Sequence, residues 1–278
     1  GLGWKNNTQS GFASAHDITL DGAGNVYLVG RYKESVDFDP TSASVKMLTN
    51  TSGLNTDAFV VKLSNAGQVI DASNLGIPTI IEGSDSDAGG IYVSGTGRIQ
   101  KLNNSLGAIW LKQFIGISNT EIKVSPNGYL YVCGTFSGMR DFDPSPTSTY
   151  YLDAGSGYSD YFILKLDTAG NFIWAKALNS SSNASMFGAS SLSANSTDDV
   201  AFSGEFINTL DADPDTSDYL LTSSGQLDAF VVVLDSSGAF KAAANVGGTG
   251  DDKFLTVHFN VNSEMLVGGR FVNTIDID

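Results

Sequence analysis

The stretch Gly30-Arg31-Tyr32-Lys33-Glu34-Ser35-Val36-Asp37-Phe38-Asp39-Pro40 decides how the rest of the chain is read, because its skeleton returns three more times. A glycine is followed two positions later by an aromatic residue and seven positions later by an aspartate. The other copies run Gly134-Thr135-Phe136 to Asp141, Gly204-Glu205-Phe206 to Asp211, and Gly269-Arg270-Phe271 to Asp276. A second aspartate sits two residues beyond the first, at Asp39, Asp143, Asp213 and Asp278. Pro40, Pro144 and Pro214 follow in the first three copies. Internal repetition sets the architecture before any local reading does.

Outward from this block the unit fills in. Upstream lie a short strand, Asp17 to Asp21, a Gly/Asn turn at Gly22-Ala23-Gly24-Asn25, and a second strand, Val26 to Gly30. The glycine that ends this second strand suits a bulge or a close backbone approach. Downstream of the aspartates comes a short apolar piece: Val45 to Leu48, Tyr150-Tyr151-Leu152, or Tyr219-Leu220-Leu221. A third strand follows as Asp57-Ala58-Phe59-Val60-Val61-Lys62-Leu63, Asp160-Tyr161-Phe162-Ile163-Leu164-Lys165-Leu166, or Asp228-Ala229-Phe230-Val231-Val232-Val233-Leu234. Gly67, Gly170 and Gly238 each lie ten residues after the leading aspartate, in polar turns that predict a hairpin into a fourth strand. The stretch from Thr79 to Gly116 carries four strands without the aspartate block, so that block is an insertion on a minimal sheet.

Four antiparallel strands per unit of about 40 residues predict an all-β β-propeller of four-stranded blades, in which radial stacking buries what one sheet cannot. Blades are expected near 12–76, 77–116, 117–180 and 181–248, with an incomplete fifth at 249–278. Residues 1–8, whose Trp4-Lys5 is similar to the fourth strand at Trp174-Ala175-Lys176, are expected to belong to a preceding blade or to close the last one. The expectation is a single propeller domain within a longer natural chain, with five blades if the ring closes here and six to seven otherwise.

The pattern Gly-x-Gly-Asn-Val-Tyr-x-x-Gly at Gly22 to Gly30, with the later Phe-Val-Val-Lys-Leu run and its glycine, resembles the SBBP repeat family. The Asp-Phe-Asp-Pro variant resembles the form found in surface proteins of Gram-negative bacteria. This resemblance implies a β-propeller in an exported, extracellular or cell-surface protein. It implies no catalytic motif.

Composition narrows the partners. Lys plus Arg is 15 against 30 for Asp plus Glu, a formal net charge of -15, which argues against nucleic acid and anionic membranes. No stretch reaches the roughly 18 apolar residues of a membrane span. Cys133 is the single cysteine, so no internal disulfide forms, and its apolar context predicts a buried, inert thiol. His16 and His258 do not superpose between repeats, and neither has a catalytic context.

Two sets of residues are candidates for binding. Carboxylates at i and i+2 point the same way. Asp37, Asp39, Asp141, Asp143, Asp211, Asp213, Asp276 and Asp278 are therefore candidate Ca2+ ligands, with Asp57, Asp160 and Asp228 nearby. The competing reading makes them turn formers whose oxygens cap loop amides. Tyr150, Tyr151, Tyr158 and Tyr161 are candidates for a ligand-contact face. Trp4, Trp110 and Trp174 read as packing between blades or as a platform for sugar stacking. The expected function is a non-catalytic extracellular binding or scaffold module that displays loops to protein or glycan and joins other domains of its own polypeptide. A carbohydrate-active propeller enzyme and a purely structural stalk are the alternatives.

Overall fold

In the computed structural model of the chain, residues 5–6, 12–39, 41, 45–51, 56–76, 81–155, 159–180, 189–215 and 217–274 are described. Trp4, Pro40, Tyr158, Asp276 and Asp278 lie outside them. Strands take about 60% of the described residues and no helix occurs among them, so the fold is all-β. Two compact units, Gly1–Leu111 and Lys112–Asp278, divide the chain.

The first unit carries β1 (Lys5–Asn6), β2 (Phe12–Leu20), β3 (Val26–Lys33), β4 (Ser35–Asp37), β5 (Met47–Thr49), β6 (Asp57–Leu63), β7 (Val69–Asn74), β8 (Ile81–Asp87), β9 (Gly90–Gly95), β10 (Arg98–Leu102) and β11 (Ala108–Gln113), the last crossing the boundary. They form antiparallel sheets ordered β2-β3-β6-β7 and β11-β10-β9-β8, plus a small sheet β1-β4-β5. Tyr27, Val29 and Val60 of one sheet share a buried cluster with Ile81, Ile91 and Val93 of the other. Polar ties reinforce this contact: Ser84 donates through N–H and hydroxyl to Asp17 at 2.7 and 2.8 Å, and Lys62 Nζ donates to the Asn104 carbonyl at 3.0 Å.

The second unit carries β12 (Ile117–Val124), β13 (Tyr129–Ser137), β14 (Met139–Asp141), β15 (Tyr151–Asp153), β16 (Ser159–Asp167), β17 (Phe172–Leu178), β18 (Ala189–Ala194), β19 (Val200–Phe206), β20 (Thr209–Asp211), β21 (Leu220–Thr222), β22 (Asp228–Leu234), β23 (Phe240–Val246), β24 (Lys253–Phe259) and β25 (Met265–Arg270). Its sheets are β12-β13-β16-β17, β18-β19-β22-β23 and β24-β25, with ribbons β14-β15 and β20-β21. Tyr131 and Ile163 pack on Leu192, Phe202 and Val232 of the next sheet, and Ala201 and Val231 pack in turn on Phe254 and Val257. Lys165 Nζ and Trp174 Nε1 both donate to the Ser236 carbonyl, at 2.9 and 3.1 Å. Trp174 thus serves packing between sheets, and Trp110 lies against Tyr92 with ring centroids 6.0 Å apart.

Sandwiching explains the apolar third strands. β6 is buried at every position and β22 at all but one, because each is covered on both faces. The β-branched and aromatic residues of these runs suit a pleated surface of that kind. Cys133 is buried within β13 and forms no disulfide.

The repeat glycine has a specific cause. Each first strand bulges opposite it: the register shifts between Ala15 and Asp17, Ile81 and Gly83, Asn119 and Glu121, Ala189 and Ser191, and Phe254 and Thr256. Residues 15, 81, 119, 189 and 254 face Gly30, Gly95, Gly134, Gly204 and Gly269 in turn. The bulge pushes a carbonyl toward the glycine, so a Cβ at Gly134 would collide with the Ser118 carbonyl.

Hairpin tips follow a second rule. Asp21, Asn103, Asp167, Asn195, Asp235 and Asn260 each accept, through Oδ1, the amides two and four residues ahead. Hydrogen bonds from Ser237 and Ala239 hold the Asp235 carboxyl below its usual range. The residue three positions on has positive φ, whether it is glycine, as at Gly24 and Gly170, or Leu106, Asp198 and Ser263.

Candidate functional site

The aspartate insertions fold as antiparallel ribbons, β4-β5, β14-β15 and β20-β21, the first of which also pairs with β1. In each, the first aspartate sits at the end of its strand and uses Oδ1 twice. Asp37 accepts the amides of Asp39 and Lys46 at 3.0 and 2.9 Å. Asp141 accepts those of Asp143 and Tyr150 at 3.0 and 2.8 Å. Asp211 accepts those of Asp213 and Tyr219 at 3.1 and 3.0 Å. The second aspartate closes the next turn, with Asp39, Asp143 and Asp213 accepting the amides of Thr41, Ser145 and Asp215. These are side-chain-capped turns, which satisfy loop donors that a strand ladder leaves open.

Between the aspartates the chain plugs the core. Phe38 and Phe142 are fully buried. Phe38 meets Tyr32 and Phe59 with ring centroids 5.8 and 4.6 Å apart. Phe142 meets Phe136 and Phe162 at 5.2 and 4.9 Å. The three aromatic positions of the repeat are therefore one packing triangle. In the third ribbon Ala212 takes the middle place, and Phe230 packs instead on Tyr161, Phe202 and Phe206.

The strand-leading aspartates are interior. Asp57 accepts the Thr51 amide at 2.8 Å and Asn74 Nδ2 at 2.9 Å. Asp160 accepts both the amide and hydroxyl of Ser180 at 3.0 Å. Burial raises the pKa of Asp160, outweighing the Ser180 bonds, and burial raises that of Asp228, with the Asp252 charge adding to it. Asp228 and Asp252 form a pair that no other repeat copies. Both are enclosed, and Asp252 accepts the amides of Gly248 and Val272 at 2.7 and 2.8 Å. That arrangement holds backbone rather than presenting an acid pair to a substrate.

Outward, the ribbons share a pattern. Met47, Tyr151 and Leu220 occupy the first position of β5, β15 and β21 and are exposed in each. One residue earlier, Tyr150 stacks on Phe172 and Tyr219 on Phe240, both at 4.9 Å, while Lys46 instead pairs with Asp71 at 3.0 Å. A cavity of about 250 Å3 adjoins the Phe172 ring, lined also by Asp143, Ser145, Ser148 and Asn171.

Of the expected contact tyrosines, Tyr150 and Tyr151 are thus on this face. Tyr161 is not: it is fully buried, and its hydroxyl donates to the Glu205 carbonyl at 2.7 Å. Its place beside the apolar run puts it inside the sheet stack, and this corrects the sequence expectation. Tyr219, not among the expected contact tyrosines, stands in its ribbon where Tyr150 stands in the preceding one. His16 and His258 are exposed on β2 and β24. Among the described residues no group of three or more His, Cys, Asp or Glu side chains is placed to hold a metal ion.

No family model matches the chain. The regulatory protein FlaEY of Caulobacter vibrioides is 32% identical over 114 residues, which are 41% of this chain and 12% of FlaEY. The chain therefore spans only a small part of that relative's length. The crystal structure of Sqt1 from Chaetomium thermophilum aligns with 92% of this chain and 78% of its own at a TM-score of 0.38 and 10% identity.

Proposed function

We propose that this chain is a binding and display module, built as a β-propeller from SBBP-type repeats within an exported bacterial surface protein. Its ribbons are the contact elements. The observation that carries this reading is the recurrence of Met47, Tyr151 and Leu220 as exposed apolar residues on ribbons whose loops are locked from within by Asp37, Asp141 and Asp211. A stiff loop loses little entropy on binding, and repeated weak contacts add through avidity. Stacked four-stranded sheets supply the rigid base. The rest of the polypeptide sets where the module is presented.

The test is surface binding by the purified chain. Biolayer interferometry against intact Gram-negative cells and their isolated surface polysaccharide is expected to show saturable binding. Combined Tyr151→Ser and Leu220→Ser substitution is expected to weaken it about tenfold. No binding to either, or equal binding by the variant, would leave the chain a structural spacer.

A further inference from the structure

We propose that the cavity between the turn at Asp143 and the Phe172 ring is a subsite for an acidic sugar, a uronate whose carboxylate pairs with Lys112 and whose ring packs on Phe172.

The repeat itself shows what Lys112 lacks. Two fourth strands align as Ile109-Trp110-Leu111-Lys112 and Ile173-Trp174-Ala175-Lys176. Lys176 reaches the following ribbon and donates to Asp215 Oδ1 at 2.6 Å. Asp215 stands where the second ribbon has Ser145. Each follows an Asp-Pro pair, and each gives its amide to the aspartate two residues before it, at 3.0 and 2.9 Å. Lys112 lines the cavity together with Ser145. With serine in that place, Lys112 makes no ion pair among the described residues. A carboxylate is tolerated at this position, because Asp215 already sits beside Asp213 as a ligand acid would sit beside Asp143.

The rest of the lining suits a sugar. The cavity holds about 250 Å3, which is room for a single ring rather than a drug-sized ligand. Tyr150 stacks on Phe172 with centroids 4.9 Å apart and steadies that ring, on which the C–H face of a pyranose packs. Asn171 is oriented by Nδ2, which donates to Asp167 Oδ2 at 2.8 Å, and this leaves Oδ1 to accept a sugar hydroxyl. The Ser148 hydroxyl donates to Asp143 Oδ2 at 2.6 Å, so its oxygen keeps lone pairs for the ligand. The third ribbon does not offer this site: Ala239 replaces Asn171 there, and Asp215 occupies Lys176. Every residue of the lining, Lys112 included, belongs to the second unit. The inference rests on the display reading and narrows its ligand to one chemical class.

The probe is tri-galacturonate, titrated into this chain by calorimetry, with its fully methyl-esterified form as the uncharged control. Saturable binding of the acid is expected, and the ester is expected to bind about tenfold more weakly, since a hydrogen bond to a charged group is lost. Added salt is expected to weaken the acid and not the ester. Lys112→Met is expected to bring the acid down to the level of the ester. Ser145→Asp is expected to do the same, by giving Lys112 the internal partner that Lys176 has. Circular dichroism confirms the fold of each variant. Absence of acid binding, equal binding of the ester, or unchanged binding by both variants overturns the proposal. So does equal binding of a tri-glutamate peptide, because the site then takes any carboxylate segment rather than a sugar. Cell-surface binding that persists while the acid fails to bind overturns this site alone, whereas loss of both overturns the display reading with it.

Discussion

Asp141 and Tyr150, nine positions apart, are joined by a 2.8 Å hydrogen bond from the Tyr150 amide to Asp141 Oδ1, and the same oxygen takes the Asp143 amide. A carbonyl oxygen can do this as well as a carboxylate can. Asp141→Asn is therefore expected to retain most of the stability, whereas Asp141→Ala removes the cap and costs about 1 kcal/mol. Urea denaturation of the two variants decides it. A metal site would behave otherwise: asparagine would be as damaging as alanine, and millimolar Ca2+ would raise the melting midpoint of wild type only.

The bulge opposite Gly134 makes a second prediction. Gly134→Ala is expected to destabilise by about 1–3 kcal/mol or more, since Ser118 backbone and the Phe162 ring both block the new methyl group. Gly128→Ala meets open space but a φ of +81°, so about 1–2 kcal/mol is expected there from backbone conformation alone. Denaturation midpoints that rank the two in the opposite order would sink the bulge explanation.

Phe142 is one corner of a buried aromatic triangle, so Phe142→Ala is expected to cost about 3–5 kcal/mol. Ala212 occupies the same place without penalty, because Phe230 there leans on Tyr161, Phe202 and Phe206. Ala212→Phe is correspondingly expected to destabilise rather than improve the fold. Thermal melts of both variants test the pair.

Asp160 titrates with burial against it. Its folded pKa lies above the ordinary 3.8, so in the window from there up to the raised value the folded state binds more protons than the unfolded one. Stability then falls as pH rises through that window and is fully favoured below it. Asp160→Asn cannot titrate, and its Oδ1 still accepts from Ser180. The variant is expected to show a flatter stability profile above the ordinary carboxylate pKa than wild type. Parallel profiles would show that Asp160 is not the group responsible.

The local rules were legible in the chain itself. Alternation and β-branched runs set the strands, Gly/Asn clusters set the hairpins, and the insertion-free stretch from Thr79 to Gly116 marked the aspartate block as an addition. The close approach at Gly30 and its copies could be read from a glycine ending a β-branched strand. Leu106, Asp198 and Ser263 could not be read as left-handed turn residues, since the asparagine that caps each turn, not the residue itself, enforces the conformation.

What only the tertiary structure decided is where each polar oxygen and each tyrosine ends up. Asp141 looks the same in sequence whether its oxygens face solvent, an ion or a backbone amide. Tyr150 just precedes β15 and Tyr161 lies near the start of β16, yet one is exposed on a ribbon and the other is sealed against Glu205. Strand period and turn chemistry act over a few residues, so they are written locally. Burial and hydrogen-bond partnership depend on which sheet stacks on which, and that information resides in contacts between residues far apart in the chain.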